Sequence, residues 1–263
     1  MPTGPLPRVL RGTLSPEDAA SLLAAHRQAL HDGGAAALKD HRRSAVTRVT
    51  HHGHCLCIKE YKPLGWSDHL KDILRGSRAQ RAWHGATRLA ANGVSSPELV
   101  ALLEHRGVHY LVAECVADGQ PLNSFLAERF VGALPPDQLQ DKRSLIRELA
   151  RWLRSIHDLG IYHDDWSAKN LLVARRDGRW CFFLLDYESI SLLKPLTLRR
   201  RAKNLGQLND LAHGLTRTDR LRFLLAYAGH DPEFAGAPFA AKVLGFTRRR
   251  IRHRERRLED ERA

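Results

Sequence analysis

One stretch constrains this chain more than any other. Residues 161–188 read I-Y-H-D-D-W-S-A-K-N-L-L-V, a short polar turn at 175–179, then W-C-F-F-L-L-D-Y-E. Within it His163, Asp165 and Asn170 stand at the spacing H-x-D-x-x-x-x-N, and Asp186 closes an apolar run. Two short apolar runs around a polar turn read as a hairpin, 171–173 pairing with 181–185. Such a hairpin sets Asn170 and Asp186 near each other at one end of the strand pair. An Asp after a strand is often only a turn residue, and H-x-D alone is common. The combination of spacing and hairpin carries the argument.

That combination is similar to the protein-kinase catalytic pattern H-x-D-x-x-x-x-N followed by a strand-terminal Asp. The chemistry explains the residue types. Phosphoryl transfer needs a carboxylate to accept the proton of an attacking hydroxyl, and an amide and a second carboxylate to hold Mg²⁺ against the nucleotide phosphates. Asp165 suits the first role, and Asn170 and Asp186 suit the second. His163 opens the pattern and joins Asp165 among the catalytic candidates.

A chain of 263 residues accommodates one large domain or two lobes. No apolar run reaches the roughly 18 residues of a membrane span, and the first residues lack the apolar segment of a secretory signal. The expected location is therefore cytoplasmic. Cys55, Cys57, Cys115 and Cys181 sit in strand-like runs at no common zinc spacing, so reduced core thiols are expected. The net charge of +13 implies an anionic partner: nucleic acid, an anionic membrane surface or a phosphorylated substrate. The chain shows no aromatic-interleaved stacking platform, so no specific nucleic acid is expected.

In chain order, Ser15 reads as the N-cap of an amphipathic helix that Gly33-Gly34 ends, giving an N-terminal helical extension over 1–34. Three strands follow around 35–39, 45–50 and 55–61, with His51-His52-Gly53-His54 as the second turn. That turn reads as polar and exposed rather than as a metal site. Lys59 lies on the third strand, where a kinase small lobe places the lysine that binds nucleotide phosphates. The loop 39–44 carries basic residues and no glycine. Residues 67–92 read as one or two helices ended by Gly93, and no acid occurs between Gly76 and Asn92 to pair with Lys59. Strands at 99–103 and 110–116 complete a five-stranded antiparallel sheet. In the kinase layout the backbone at Glu114 and Val116 then faces the adenine edge, and a polar joint leads to a mainly helical large lobe. Residues 142–159 form a strong amphipathic helix that leads into the 161–188 stretch. The fold class is α+β, a two-lobed protein-kinase-like fold. The expected partition is 1–34, a small lobe at 35–117, a large lobe at 118–246 and a basic tail at 247–263.

The blocks R-A-W-H-G-A-T-R-L-A-A-N-G-V-S-S-P, I-Y-H-D-D-W-S-A-K-N-L-L, L-L-D-Y-E-S, K-N-L-G-Q-L-N-D and G-L-T-R-T-D-R-L-R-F-L-L-A-Y together resemble the bacterial lipopolysaccharide core kinases, the heptose and Kdo kinases that include InaA-like proteins. The resemblance spans roughly residues 35–230. It implies ATP and Mg²⁺, with transfer of the γ-phosphoryl group to a Kdo or heptose hydroxyl of the lipid A–linked inner core at the cytoplasmic membrane face. It implies Lys59 as the phosphate lysine, Asp165 as the base, and Asn170 and Asp186 as metal ligands. The alternatives are a kinase-like protein with another acceptor, small molecule or protein, and an ATP-binding pseudokinase. No A-P-E stop or long activation segment follows Asp186. The basic cluster at Lys194 and 199–203 has two readings, substrate or headgroup anions on one side and a solvated helix start on the other. The arginine-dense end of the chain likewise reads as a peripheral contact with an anionic bilayer or as a solvated helix with internal Arg–Glu pairs.

Overall fold

The computed structural model describes residues 5–62, 76–193, 195–210 and 214–260. The chain divides into two compact units, residues 1–117 with 186–188, and residues 118–185 with 189–263. The first part of the helix expected at 67–92 and Lys194 lie outside the described residues.

The first unit is built on a six-stranded sheet whose paired strands all run antiparallel. Its strands are β1 (Arg8–Gly12), β2 (Ala37–His41), β3 (Ser44–His51), β4 (His54–Tyr61), β5 (Leu99–His105) and β6 (Val108–Glu114), in the order β1-β5-β6-β4-β3-β2. The five expected strands are present, and β1 adds a sixth along β5. The strand β1 is short and mostly exposed, so it carries no alternating apolar signal. Helix α1 (Pro16–Asp32) packs on β3, which makes the N-terminal segment part of the sheet's core. Its N-cap Ser15 accepts from the Asp18 N–H at 3.0 Å. Its apolar face inserts Ala19, Leu22 and Leu23 against Val49, Leu56, Ile58, Leu103 and Val112. Burying a leucine in this way contributes about 2 kcal/mol. The His51–His54 turn is tight, with positive φ at His52 and Gly53 as a two-residue hairpin turn requires.

The β4–β6 register sets Cys55 beside Cys115, and the two form a disulfide. This corrects the expectation of reduced thiols throughout. Cys57 and Cys181 are free, and the Cys57 Sγ lies 3.4 Å from the Cys115 Sγ. Helix α2 (Arg78–Ala91) opens with a Ser77/Gln80 capping box and buries a narrow face of small residues, Ala79, Ala82, Gly85 and Ala86, with Leu89.

The second unit contains α3 (Leu122–Arg129), α4 (Pro136–Asp158), α5 (Leu198–Leu208), α6 (Arg217–Ala228), the single turn α7 (Pro232–Ala235) and α8 (Ala237–Asp260). Buried residues at 145, 149, 153 and 146, 150 form one stripe along α4, the helical period expected of that segment. Helix α4 packs on α6, and α5 on α8. Lys142 and Asp219 make a buried ion pair at 2.8 Å, while Asp219 also closes the capping box of α6. Two small sheets complete the unit. One joins β7 (Gln120–Pro121), β9 (Leu171–Arg176) and β10 (Arg179–Leu184), and the other pairs β8 (Ile161–His163) with β11 (Ile190–Leu192). The 246/247 boundary falls inside α8, which runs unbroken to Asp260.

Candidate active site

In the first unit Lys59 is on β4, an interior strand between β3 and β6. Its Nζ donates to Asp186 Oδ1 at 2.7 Å and lies 3.5 Å from Glu188. Burial by itself would lower the affinity of the ammonium for its proton. The fields of Tyr61, Asp186 and Glu188, with the Asp186 hydrogen bond, outweigh that and hold it above its ordinary value. Lys59 is therefore a fixed cation. Tyr61 lies under it, 4.9 Å from Nζ to the ring centroid, and burial pushes the phenol up to about 12.

The acid missing from α2 is supplied from the other side. Arg78, the first residue of α2, donates through Nε and Nη2 to the two carboxylate oxygens of Glu188 at 3.0 and 3.1 Å. A helix cation and a Glu two residues past Asp186 thus stand where a helix acid was sought. Gly85 makes this docking possible, because a Cβ there would stand 2.1 Å from the Tyr187 carbonyl oxygen. Asp186 has φ 61, a left-handed conformation that Asp tolerates better than most residues. At the end of β6 the Glu114 N–H donates to Glu98 O and the Cys115 N–H to Cys55 O, each at 2.8 Å. Val116 follows, half-buried, just beyond the strand.

In the second unit the loop after β8 is held by its own residues. The Asp165 N–H donates to Nδ1 of the buried His163 at 3.0 Å. Asn170 Nδ2 donates to Asp165 O at 2.9 Å and to Asp165 Oδ2 at 3.3 Å, and Ser167 Oγ reaches the same Oδ2 at 3.3 Å. The Leu185 N–H bonds the Asn170 carbonyl at 2.8 Å, so the hairpin register extends to this residue. Trp166 stacks on Trp152 of α4 at 6.1 Å and anchors the loop from below.

Helix α5 holds this loop from outside. Asn204 Nδ2 donates to His163 O at 2.7 Å, Gln207 Oε1 accepts from the Trp166 N–H at 3.1 Å, and Gln207 Nε2 donates to Asp164 O. Arg201 is buried and pairs with Asp158 at 2.8 Å. This corrects the reading of the whole 199–203 cluster as free for anions, since Arg201 serves the interior. His157, fully buried against Tyr227 and Asn204, is pushed down to about 3 by burial and by the Arg201 charge. Helix α8 adds Arg250, whose Nη2 donates to Asp165 Oδ1 at 2.9 Å. Sequence reasoning missed Arg78, Glu188, Asn204, Gln207 and Arg250. The K-N-L-G-Q-L-N-D block contained Asn204 and Gln207, and the L-L-D-Y-E-S block contained Glu188, but neither gave them a role.

The order of elements and these two sets of side chains define a protein-kinase-like fold. A solved structure described as "WaaP in complex with acyl carrier protein" matches with a TM-score of 0.56 at 22% identity, over 83% of this chain and 91% of that one. The Lipopolysaccharide kinase (Kdo/WaaP) family model matches residues 33–227, and the chain belongs to that family. The lipopolysaccharide core heptose(I) kinase WaaP of Escherichia coli (strain K12) is 27% identical over 163 residues, 57% of this chain. The match spans 60% of that relative's length.

Proposed function

We propose that this protein is an ATP-dependent kinase that phosphorylates a sugar hydroxyl, Kdo or heptose, of the lipopolysaccharide inner core. The observation that carries the reading is the Asp165 carboxylate. It is oriented by His163 through its backbone and by Asn170 and Ser167 at Oδ2, as a positioned proton acceptor requires. In the reaction the acceptor oxygen attacks the γ-phosphorus of ATP and forms the new O–P bond. The bond to the β–γ bridging oxygen breaks, the hydroxyl proton passes to Asp165, and ADP leaves. Lys59 binds the α/β-phosphates, exchanging Asp186 for them while Glu188 keeps it in place. Val116, and Glu114 before it, present backbone to the adenine edge. His163 acts by shaping the loop rather than by touching substrate.

Asn170 and Asp186 offer hard oxygen donors of the kind that suit Mg²⁺. Bound there, the ion would neutralise phosphate charge. A cavity of about 490 Å³ in the second unit is lined by Leu126, Leu145, Leu149, Leu205 and Leu244, with Arg248 also on its wall. Its chemistry suits an apolar chain, and the relative solved with acyl carrier protein makes an acyl-bearing partner reasonable here. No described helix is long and apolar enough to cross a membrane. A lipid-linked acceptor would bring the protein to the cytoplasmic face of the inner membrane as a peripheral protein, with exposed arginines of α8 toward anionic headgroups.

The test is ATP-dependent transfer to purified deep-rough lipopolysaccharide with Mg²⁺, with mass spectrometry of the product sugar. Wild type is expected to add one phosphate, and Asp165→Ala and Asp186→Ala to lower the rate by about 10³-fold or more. ATP binding without transfer to any inner-core sugar would refute the acceptor assignment.

A further inference from the structure

The C-terminal helix reaches the proposed base, and the way it is mounted points to a role. Helix α8 lies directly on α5 because Gly206 has no side chain there. A Cβ at that position would stand 2.6 Å from the Phe246 Cβ. At the next residue, the buried Thr247 Oγ1 donates to Val243 O at 3.0 Å and accepts from Asn209 Nδ2 at 3.0 Å. This docking fixes the backbone from which Arg250 projects. The Arg250 guanidinium has two different faces. Its Nε donates to Asp210 at 3.3 Å, a carboxylate only 11% exposed that Arg254 also pairs with at 2.9 Å. Its Nη2 meets Asp165 Oδ1, and there both partners are about a third exposed. The first face is an anchor. The second is a solvent-accessible pair that another anion can replace, since exposed ion pairs hold weakly.

We propose that Arg250 is the acceptor-recognition residue, exchanging Asp165 for an anionic group, carboxylate or phosphate, carried by the saccharide beside its reacting hydroxyl. A planar guanidinium fits either anion in a two-point contact. The exchange links recognition to chemistry. With the acceptor anion on Arg250, Asp165 Oδ1 is released to face the hydroxyl proton, while Ser167 and Asn170 keep Oδ2 in place. A neutral saccharide leaves Arg250 on the base. The inference rests on the kinase reading above and names the acceptor feature which that reading leaves open.

The experiment reads binding and transfer separately. Inner-core saccharide released from deep-rough lipopolysaccharide is titrated calorimetrically into the full chain, beside carboxyl-reduced and dephosphorylated forms of the same saccharide. Wild type is expected to bind the anionic form about tenfold or more tighter than whichever form lacks the recognised group, which identifies carboxylate or phosphate as the source. Arg250→Gln is expected to erase that difference and to raise the acceptor KM with the ATP KM unchanged. Arg250→Lys should restore part of it. Asp165→Asn, which removes the competing charge, is expected to tighten binding of the anionic form. Equal binding of all forms by wild type, discrimination retained in Arg250→Gln, or no saccharide binding at all would each overturn the proposal. Discrimination without any transfer would refute the kinase reading and leave the recognition site standing.

Discussion

Replacing Glu188 by glutamine should loosen the first unit and weaken nucleotide use together. The side chain keeps its shape but loses the charge that receives both Arg78 hydrogen bonds and lies 3.5 Å from Lys59. Arg78 and Glu188 are each only 15% exposed, so solvent screens the pair little. A hydrogen bond to a charged group contributes about 1.5–3 kcal/mol. One acceptor oxygen survives in the amide, so the loss is about 2 kcal/mol. In a chain of this size that lowers the thermal midpoint by roughly 4–8 °C. Lys59, left with Asp186 alone, should also bind phosphates in a less fixed position, and kcat/KM for ATP should fall about tenfold, equal to about 1.4 kcal/mol. Denaturant unfolding of Glu188→Gln, Arg78→Met and the double variant isolates the pair. The coupling energy is expected at about 1–2 kcal/mol. Single effects that add to within about 0.5 kcal/mol would show that the two residues do not act on each other, and the argument for an inverted helix ion pair would fail.

Two further outcomes follow from packing and burial. Gly85→Ala puts a Cβ where only 2.1 Å separates it from the Tyr187 carbonyl oxygen, so α2 must shift. A loss of about 1–3 kcal/mol in denaturant unfolding is expected, together with weaker ATP binding. His157 is depressed to about 3 from 6.5, so the unfolded chain binds more protons than the folded one between those values. Its contribution to stability is whole above about pH 6.5 and falls as pH drops through that window, reaching a loss of about 2 kcal/mol at pH 5. Urea unfolding of wild type and His157→Gln at pH 7.5 and pH 5 should show a smaller pH difference in the variant.

How far the site was legible depended on distance along the chain. The loop from His163 to Asn170 closes on itself within a few residues, and its hydrogen bonds follow from spacing. The 171–184 hairpin was readable for the same reason, as was α4 from its period. Lys59 was placed by its strand and by order relative to the loop. Its partners were not, because Arg78 and Glu188 are 110 positions apart and either charge alone looks like a solvated surface residue. The Cys55–Cys115 bond follows from the register of β4 against β6, which no cysteine spacing encodes. The arginine-rich end read as a charged tail because its apolar stripe is thin. Its docking depends on a glycine in another helix, 41 residues before Thr247.

The sequence by itself determined most of the elements and the two-lobed class of the fold, and it singled out candidates for the transfer residues. Each depends on local periodicity, turn chemistry or short spacing, where a few neighbouring side chains decide the outcome. Only the tertiary structure decided which charges meet. Arg78 faces Glu188, Arg201 turns inward to Asp158, and Arg250 reaches Asp165 across 85 positions. In a chain with 42 lysines and arginines, every acid has many possible partners. The choice among them falls to close approaches such as Gly85 on Tyr187 and Gly206 on Phe246, which exist only once the interior of each unit has packed.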